Sequence, residues 1–151
     1  MRRPAMVDIT SKPTVYREAT AVGRIRLREE SVKRILKGEI EKGDPLSAAR
    51  LAAVLAVKQT SMIIPLCHPL PVTAVEVYEE VGKDFVELKV KVKASAKTGV
   101  EMEALTGVCS GLLTVWDMTK QYEKDQYGQY PTTRIEGIRV VEKIKETLQN
   151  E

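Results

Sequence analysis

Between Thr73 and Ala94 the chain reads TAVEVYEEVGKDFVELKVKVKA. Val86, Leu88, Val90 and Val92 alternate with Glu87, Lys89, Lys91 and Lys93, and Gly82, Lys83 and Asp84 form a turn back to a preceding strand. A period of two sends the apolar side chains to one face and the charges to the other. The run predicts an antiparallel hairpin with one wet face and one that must be covered. Whatever covers it comes from the rest of a 151-residue chain, a length at which one domain buries roughly 70% of its unfolded surface.

The flanking segments supply that cover. After an N-terminal arm (1–13), EATAVGRIRLRE (18–29) sets Ile25 and Leu27 opposite Arg24, Arg26 and Arg28, as in a half-buried strand. In SVKRILKG, Val32, Ile35 and Leu36 recur at helical spacing and Gly38 is a stop. KGDPLSAARLAAVLAVKQT (42–60) opens on Asp44 as N-cap and Pro45 at the first helical position, and its alanines imply close packing. Pro65, Pro69 and Pro71 forbid regular structure around PLCHPL, which must be a shaped loop. A long helix follows from about Val100 to Tyr122, with Met102, Leu105, Val108, Leu112, Val115 and Trp116 as its apolar stripe, and Gly107 and Gly111 allow another backbone close. A polar loop (123–131) leads to TTRIEGIRVVEKI, a last strand, with 143–151 read as a frayed tail. The order strand, helix, helix, strand, strand, helix, strand predicts one α+β domain over 1–151. It is a ferredoxin-like split β-α-β-β-α-β with one extra helix, its antiparallel sheet covered on one face.

Composition removes several function classes. No apolar stretch approaches the roughly 20 residues of a membrane span, and no apolar run follows the basic start MRRPAM, so a soluble cytoplasmic protein is expected. Cys67 and Cys109 lack the spacing of a zinc or redox pair, and a single histidine cannot build a His-rich site, so no metal is expected. The net charge of +3 suits a phosphorylated small molecule, while aromatics at 5% leave few stacking platforms for nucleic acid.

No nucleotide-binding glycine fingerprint is present, so phosphate contacts must come from scattered cations, with Lys42, Lys58, Lys97 and Lys120 as candidates beside loops or helix ends. His68 lies between two prolines; it is either a hydrogen-bonded loop histidine or a binding or proton-handling group on a stiffened support. Thr98 and Gly99 precede a helix whose free N–H groups favour an anion. Glu101 and Glu103 either complement that dipole or, if buried, require donors such as a guanine-type edge. Asp117 and Lys120, three apart on one helical face, are either a surface ion pair or an acid–base pair. Glu103 and Asp117 are separated by fourteen residues, about 21 Å along a helix. If both serve one pocket, that pocket lies between subunits.

Taken together, MVDIT (6–10), YREA (16–19), KGD (42–44), IPLCHPL (64–70), KTGVEMEALTG (97–107) and WDMTK (116–120) resemble the cyclic pyranopterin monophosphate synthases of molybdenum cofactor biosynthesis, the MoaC family. The resemblance covers residues 6–142. It implies a homohexamer built as a trimer of dimers with active sites at dimer interfaces, acting on cyclised dihydro-GTP with release of pyrophosphate. It also implies no redox cofactor, and leaves open whether Mg²⁺ accompanies the triphosphate. By motif it makes Leu66, Cys67, His68, Met102 and Glu103 substrate contacts and sets Arg17 and Lys42 as basic residues lining the same pocket; Glu101 and Lys58 join the substrate-binding set from their positions at a helix start and a helix end. It makes Asp117 the catalytic acid/base, with Lys120, His68 and Lys42 beside it. Where that family often carries a Gly/Lys-rich tail this chain has VEKIKETLQN, leaving Lys143 or Lys145 as substitutes for the tail lysine. The competing class is a non-catalytic ferredoxin-like module that senses a nucleotide.

Overall fold

The computed structural model describes residues 1–147. The hairpin forms as β2 (Val72–Val81) and β3 (Phe85–Ala96), with Val75 opposite Val92 and Val77 opposite Val90. β1 (Val15–Arg26) lies along β3, and β4 (Arg134–Glu146) lies along the other side of β1, giving the order β2-β3-β1-β4 with every neighbour antiparallel. α1 (Glu29–Lys37), α2 (Pro45–Ile63) and α3 (Glu101–Glu123) complete the split pattern with its extra helix. The core joins Val86, Leu88, Val90 and Val92 of β3 to Ala49, Ala53 and Val57 of α2 and to Val108, Leu112 and Val115 of α3. No helix among the described residues is long and apolar enough to cross a membrane.

The sheet is longer than side-chain alternation predicts. β1 begins at Val15, opposite Ala96, rather than at Glu18. β4 runs on through Lys143, Ile144, Lys145 and Glu146, paired with Ala19, Glu18, Arg17 and Tyr16, where the sequence pattern suggested fraying. The main chain of β1 supplies a partner for each peptide group whatever the side chains are, so pairing continues past the apolar run. The remaining tail positions, 148–151, lie outside the described residues. Register slips at Thr20/Ala21 and at Val22/Arg24, and Gly137 at φ 65° supplies the left-handed residue that a bulge of this kind uses.

The Asp44 carboxylate caps α2, accepting from the Leu46 N–H at 3.0 Å and from the Ser47 hydroxyl. Replacing it with alanine is expected to cost about 1 kcal/mol, a fall of roughly 2–4 °C in a melt followed by circular dichroism. α2 continues one turn beyond the expected end, to Ile63, because the first residue unable to continue it is Pro65. Along α3, a Cβ at Gly111 would stand 2.5 Å from Leu88 Cδ1 and 3.2 Å from the Ala49 carbonyl, and one at Gly107 would stand 2.9 Å from Val57 Cγ2. The two helices meet almost main chain to main chain.

That close seam turns α3 away from its expected stripe. Val108, Leu112 and Val115 are buried, but Met102 is 43% exposed and Glu103, at 3%, takes the inward place. The helix packs on both the sheet and α2, so its buried arc is wider than a single apolar stripe and sweeps in Glu103, Gly107 and Gly111. At the other end Glu123 is wholly buried. Its carboxylate accepts from the Arg28 N–H at 3.0 Å, from the Ser31 hydroxyl and from the Thr133 hydroxyl at 2.6 Å. It serves as the cap that α1 lacks locally.

Candidate functional site

The proline-braced loop and the start of α3 form one cluster. The Cys67 N–H donates to the Ile64 carbonyl at 3.1 Å, and the thiol points at Glu103 Oε2, 3.7 Å away. Burial pushes the Glu103 carboxyl above its ordinary value, with the nearby Glu101 charge adding to it. Burial, then the Glu103 charge, likewise raises the Cys67 thiol. Arg17 of β1 is 7% exposed and donates to the Lys97 carbonyl at 3.4 Å. Glu101 accepts from Lys143 of β4 at 2.5 Å, and its carboxyl is held below the ordinary value by that ammonium and by Arg17 against the opposing effect of burial. Glu103 Oε1 and Arg17 Nε are buried with no hydrogen-bond partner among the described residues. A buried donor or acceptor left unpaired costs about 1–3 kcal/mol, so these atoms are places where a ligand gains most.

The N-terminal arm closes over this cluster. His68 Nε2 stands 2.6 Å from the Val7 carbonyl, which requires the proton on that nitrogen, and Lys97 Nζ donates to the Thr10 carbonyl at 3.0 Å. Met6 to Thr10, His68 and Lys97 line a hollow of about 470 Å³. The contribution of the arm is invisible to any reading of periodicity, because its contacts use main-chain oxygens.

The second cluster sits at the far end of α3. Asp117 accepts from Lys120 Nζ at 2.9 Å through Oδ1 and from Lys42 Nζ at 2.9 Å through Oδ2. Lys120 and then Lys42 hold its carboxyl down at about 2, and Asp117 in turn raises Lys120. The surface ion pair expected from spacing is therefore present, and a second cation joins it from a distant loop. That loop is held by the Glu41 N–H donating to the Tyr122 hydroxyl at 3.0 Å and by Gln121 donating to Glu41 at 3.1 Å. Beside the trio, Leu113, Trp116 and Tyr130 line a cleft of about 370 Å³, with the two rings edge to face at 5.3 Å. Tyr130 was not singled out in the sequence; its only signal was a polar loop bearing tyrosines. Exposed ion pairs contribute little to stability, so this arrangement has no evident structural purpose.

Of the residues expected at a site, Arg17, Cys67, His68, Lys97, Glu101 and Glu103 gather around the loop and arm, while Lys42, Asp117 and Lys120 gather at the other end. Leu66 and Met102 are exposed at the rim of the first cluster. Lys58 joins neither: it lies on the solvent side of α2 with no hydrogen bond or ion pair in the described residues. Lys143 reaches the first cluster through Glu101. Lys145, opposite Arg17 in the strand register, makes no side-chain hydrogen bond or ion pair among the described residues. α3 is one unbroken helix between Glu103 and Asp117, so one chain holds the clusters about 21 Å apart. Among the described residues no group of three or more His, Cys, Asp or Glu is placed to hold a metal ion.

Comparison with known proteins matches residues 6–146 to the model of the MoaC family. The chain is 59% identical over 140 residues to a probable cyclic pyranopterin monophosphate synthase of Pyrococcus abyssi, covering 93% of this chain and 88% of that one. It is 54% identical over 149 residues to a protein of the same name from Methanococcoides burtonii, covering 99% and 94%. A third, from Methanoregula boonei, is 57% identical over 143 residues, covering 95% and 92%.

Proposed function

This chain belongs to the MoaC family and makes cyclic pyranopterin monophosphate for molybdenum cofactor biosynthesis, and we propose that it does so in pockets shared between copies of the chain. The observation that carries the shared pocket is the separation of two incomplete clusters along one rigid helix. One cluster offers unpaired buried atoms that fit a heterocycle; the other offers cations and an acid–base group that fit phosphate chemistry. Neither is sufficient by itself, and no bend in α3 brings them together.

In this scheme the substrate is (8S)-3′,8-cyclo-7,8-dihydroguanosine 5′-triphosphate. The adjacent N–H and NH₂ donors of its guanine-derived ring pair with the free Glu103 oxygen, and Leu66, Cys67 and Met102 wall the ring. Arg17, His68 and Lys97 lie where polar groups of the sugar and phosphates would extend. Lys42 and Lys120 of another copy take the triphosphate, drawing their charges off Asp117. Released from its two cations, the Asp117 carboxylate becomes basic enough to accept a proton. A sugar hydroxyl then attacks the α-phosphorus, one P–O bond forms as the bond to pyrophosphate breaks, and the lysines offset the charge on the leaving group. Nothing in the phosphoryl step changes oxidation state, so the scheme uses no redox cofactor. A homohexamer of three dimers in the cytoplasm is part of the same proposal.

The test is to follow pyrophosphate from the purified protein and the cyclised dihydro-GTP. One equivalent released per cyclic phosphate formed is expected. Saturable binding of the substrate with no pyrophosphate would leave a nucleotide-sensing module instead.

A further inference from the structure

We propose that the helix-free face of the sheet carries a second binding site, seated on Thr20 between Lys89 and Lys91, for an inorganic phosphate-type oxyanion that keeps one proton. The site lies on the opposite side of the sheet from α2 and α3. It is therefore separate from the synthase pocket and independent of how that pocket is assembled.

The first support is the floor of the site. Thr20 of β1 is 4% exposed, and its Oγ1 is buried with no hydrogen-bond partner among the described residues. The other buried threonines are all satisfied: Thr60 donates to the Ala56 carbonyl at 2.9 Å, Thr119 to the Val115 carbonyl at 2.7 Å and Thr133 to Glu123 at 2.6 Å. A hydroxyl can both donate and accept, and one left orphaned in an interior calls for a partner from outside. Thr20 lines a hollow of about 510 Å³ together with Tyr78, Lys89, Lys91, Val141 and Glu142.

The second support is the state of the cations. Arg24, Arg26 and Lys93 on this face each meet a carboxylate: Glu87 at 2.9 Å, Glu136 at 2.5 Å and Glu76 at 3.9 Å. Lys89 and Lys91 make no side-chain hydrogen bond or ion pair among the described residues. The register sets Lys91 beside Thr20, and Lys89 beside Tyr78. Two residues apart on one strand face, the lysines stand roughly 7 Å from each other at their Cα atoms. Like charges held this close repel, and an anion between them relieves both.

The third support is the bulge in β4. Adjacent residues of a regular strand point to opposite faces, yet Val141 and Glu142 both line the hollow. The register slip at Thr20/Ala21, where Glu142 pairs with Thr20 and Val140 with Ala21, leaves Val141 as the extra residue and turns both side chains to this side. Glu142 is the one carboxylate in the ring. It repels an anion that has no proton, and accepts a hydrogen bond from one that has. At neutral pH phosphate and pyrophosphate both keep an acidic proton, whereas sulfate keeps none.

The test is calorimetric titration of the purified protein with inorganic phosphate, pyrophosphate and sulfate, repeated on Thr20→Val and on Lys89→Gln with Lys91→Gln. The catalytic cations also attract phosphate groups, so the readout is the difference between wild type and variants whose circular dichroism spectra are kept. Each variant is expected to bind phosphate or pyrophosphate roughly tenfold or more weakly, the size of a lost charge-assisted hydrogen bond, and to release pyrophosphate from substrate at the wild-type rate. In anion-free buffer Thr20→Val should melt at or above wild type, because a methyl group replaces a hydroxyl that bonds nothing. Glu142→Gln should narrow the preference over sulfate. Tighter binding of pyrophosphate than of phosphate would make this a product site, and the reverse order a site for free phosphate. Equal binding by wild type and both variants overturns the proposal, as does no binding at all, the result expected if water fills the hollow or another copy covers the face. Sulfate bound as tightly as phosphate by the wild type overturns the choice of ligand. Loss of pyrophosphate release in the folded lysine variant would place both lysines in the synthase pocket instead.

Discussion

Asp117→Asn is expected to lower turnover by roughly 10²–10⁴-fold, the range that a positioned acid–base group supplies, while KM stays level or falls. The amide keeps the size of the side chain but can no longer take up a proton. It also leaves Lys42 and Lys120 without the anion that each contacts at 2.9 Å, so both ammonium groups are freer to hold a triphosphate. Steady-state pyrophosphate release at several substrate concentrations separates the two parameters. A turnover within a few-fold of wild type removes Asp117 from the chemistry, and a large rise in KM would make it a binding residue. Stability is a poor readout here. With its carboxyl held at about 2, Asp117 stabilises the folded chain above pH 3.8 and loses that contribution as pH falls toward 2, but the trio is exposed and the contribution is small.

Glu103→Gln should act in opposite directions on stability and binding. Burial raises the carboxyl of Glu103 above its ordinary value of 4.5, so the folded chain holds the acid more comfortably than the anion. The sign follows: between 4.5 and the raised value the folded state binds the extra proton, so wild-type stability increases as pH falls through that window. Glutamine removes both the cost and the pH dependence attached to it. A higher melting temperature than wild type is expected above the raised value, with a flatter pH profile from 4.5 upward. Losing a charge-assisted hydrogen bond of about 1.5–3 kcal/mol should weaken binding of a guanine nucleotide analogue by roughly 10- to 100-fold, measured by calorimetry. A variant that melts lower at pH 7 and binds as before would make Glu103 a structural residue.

The elements whose signal is local were readable. The β3 alternation gave its own buried face, and Asp44, Pro45 and Gly38 marked helix ends because their chemistry acts on immediate neighbours. What escaped was decided at a distance. α1 starts at Glu29 because Glu123, 95 residues away, satisfies the Arg28 N–H. β4 reaches Glu146 because β1 provides a main-chain template. In the site, the pairing of Asp117 with Lys120 is visible from spacing, whereas the approach of Lys42 and the arm over His68 depend on tertiary contacts between segments far apart in the chain. Lys58 shows the limit of reasoning from position alone: bordering a helix end is common to many lysines, and this one faces solvent.

The seam at Gly107 and Gly111 has a mechanical consequence. Leu88 Cδ1 and Val57 Cγ2 stand nearest an added methyl group and yield first, but the Ala49 and Ala53 carbonyls lie just behind at 3.2 and 3.4 Å, so the rest of the displacement falls on α2. Both ends of that rod carry chemistry, Lys42 just ahead of it and the Cys67 turn just behind. A substitution on this seam would therefore displace a phosphate ligand and a ring-binding wall together, and damage to catalysis would originate roughly 9 Å or more along the helix from the Asp117 acid–base group.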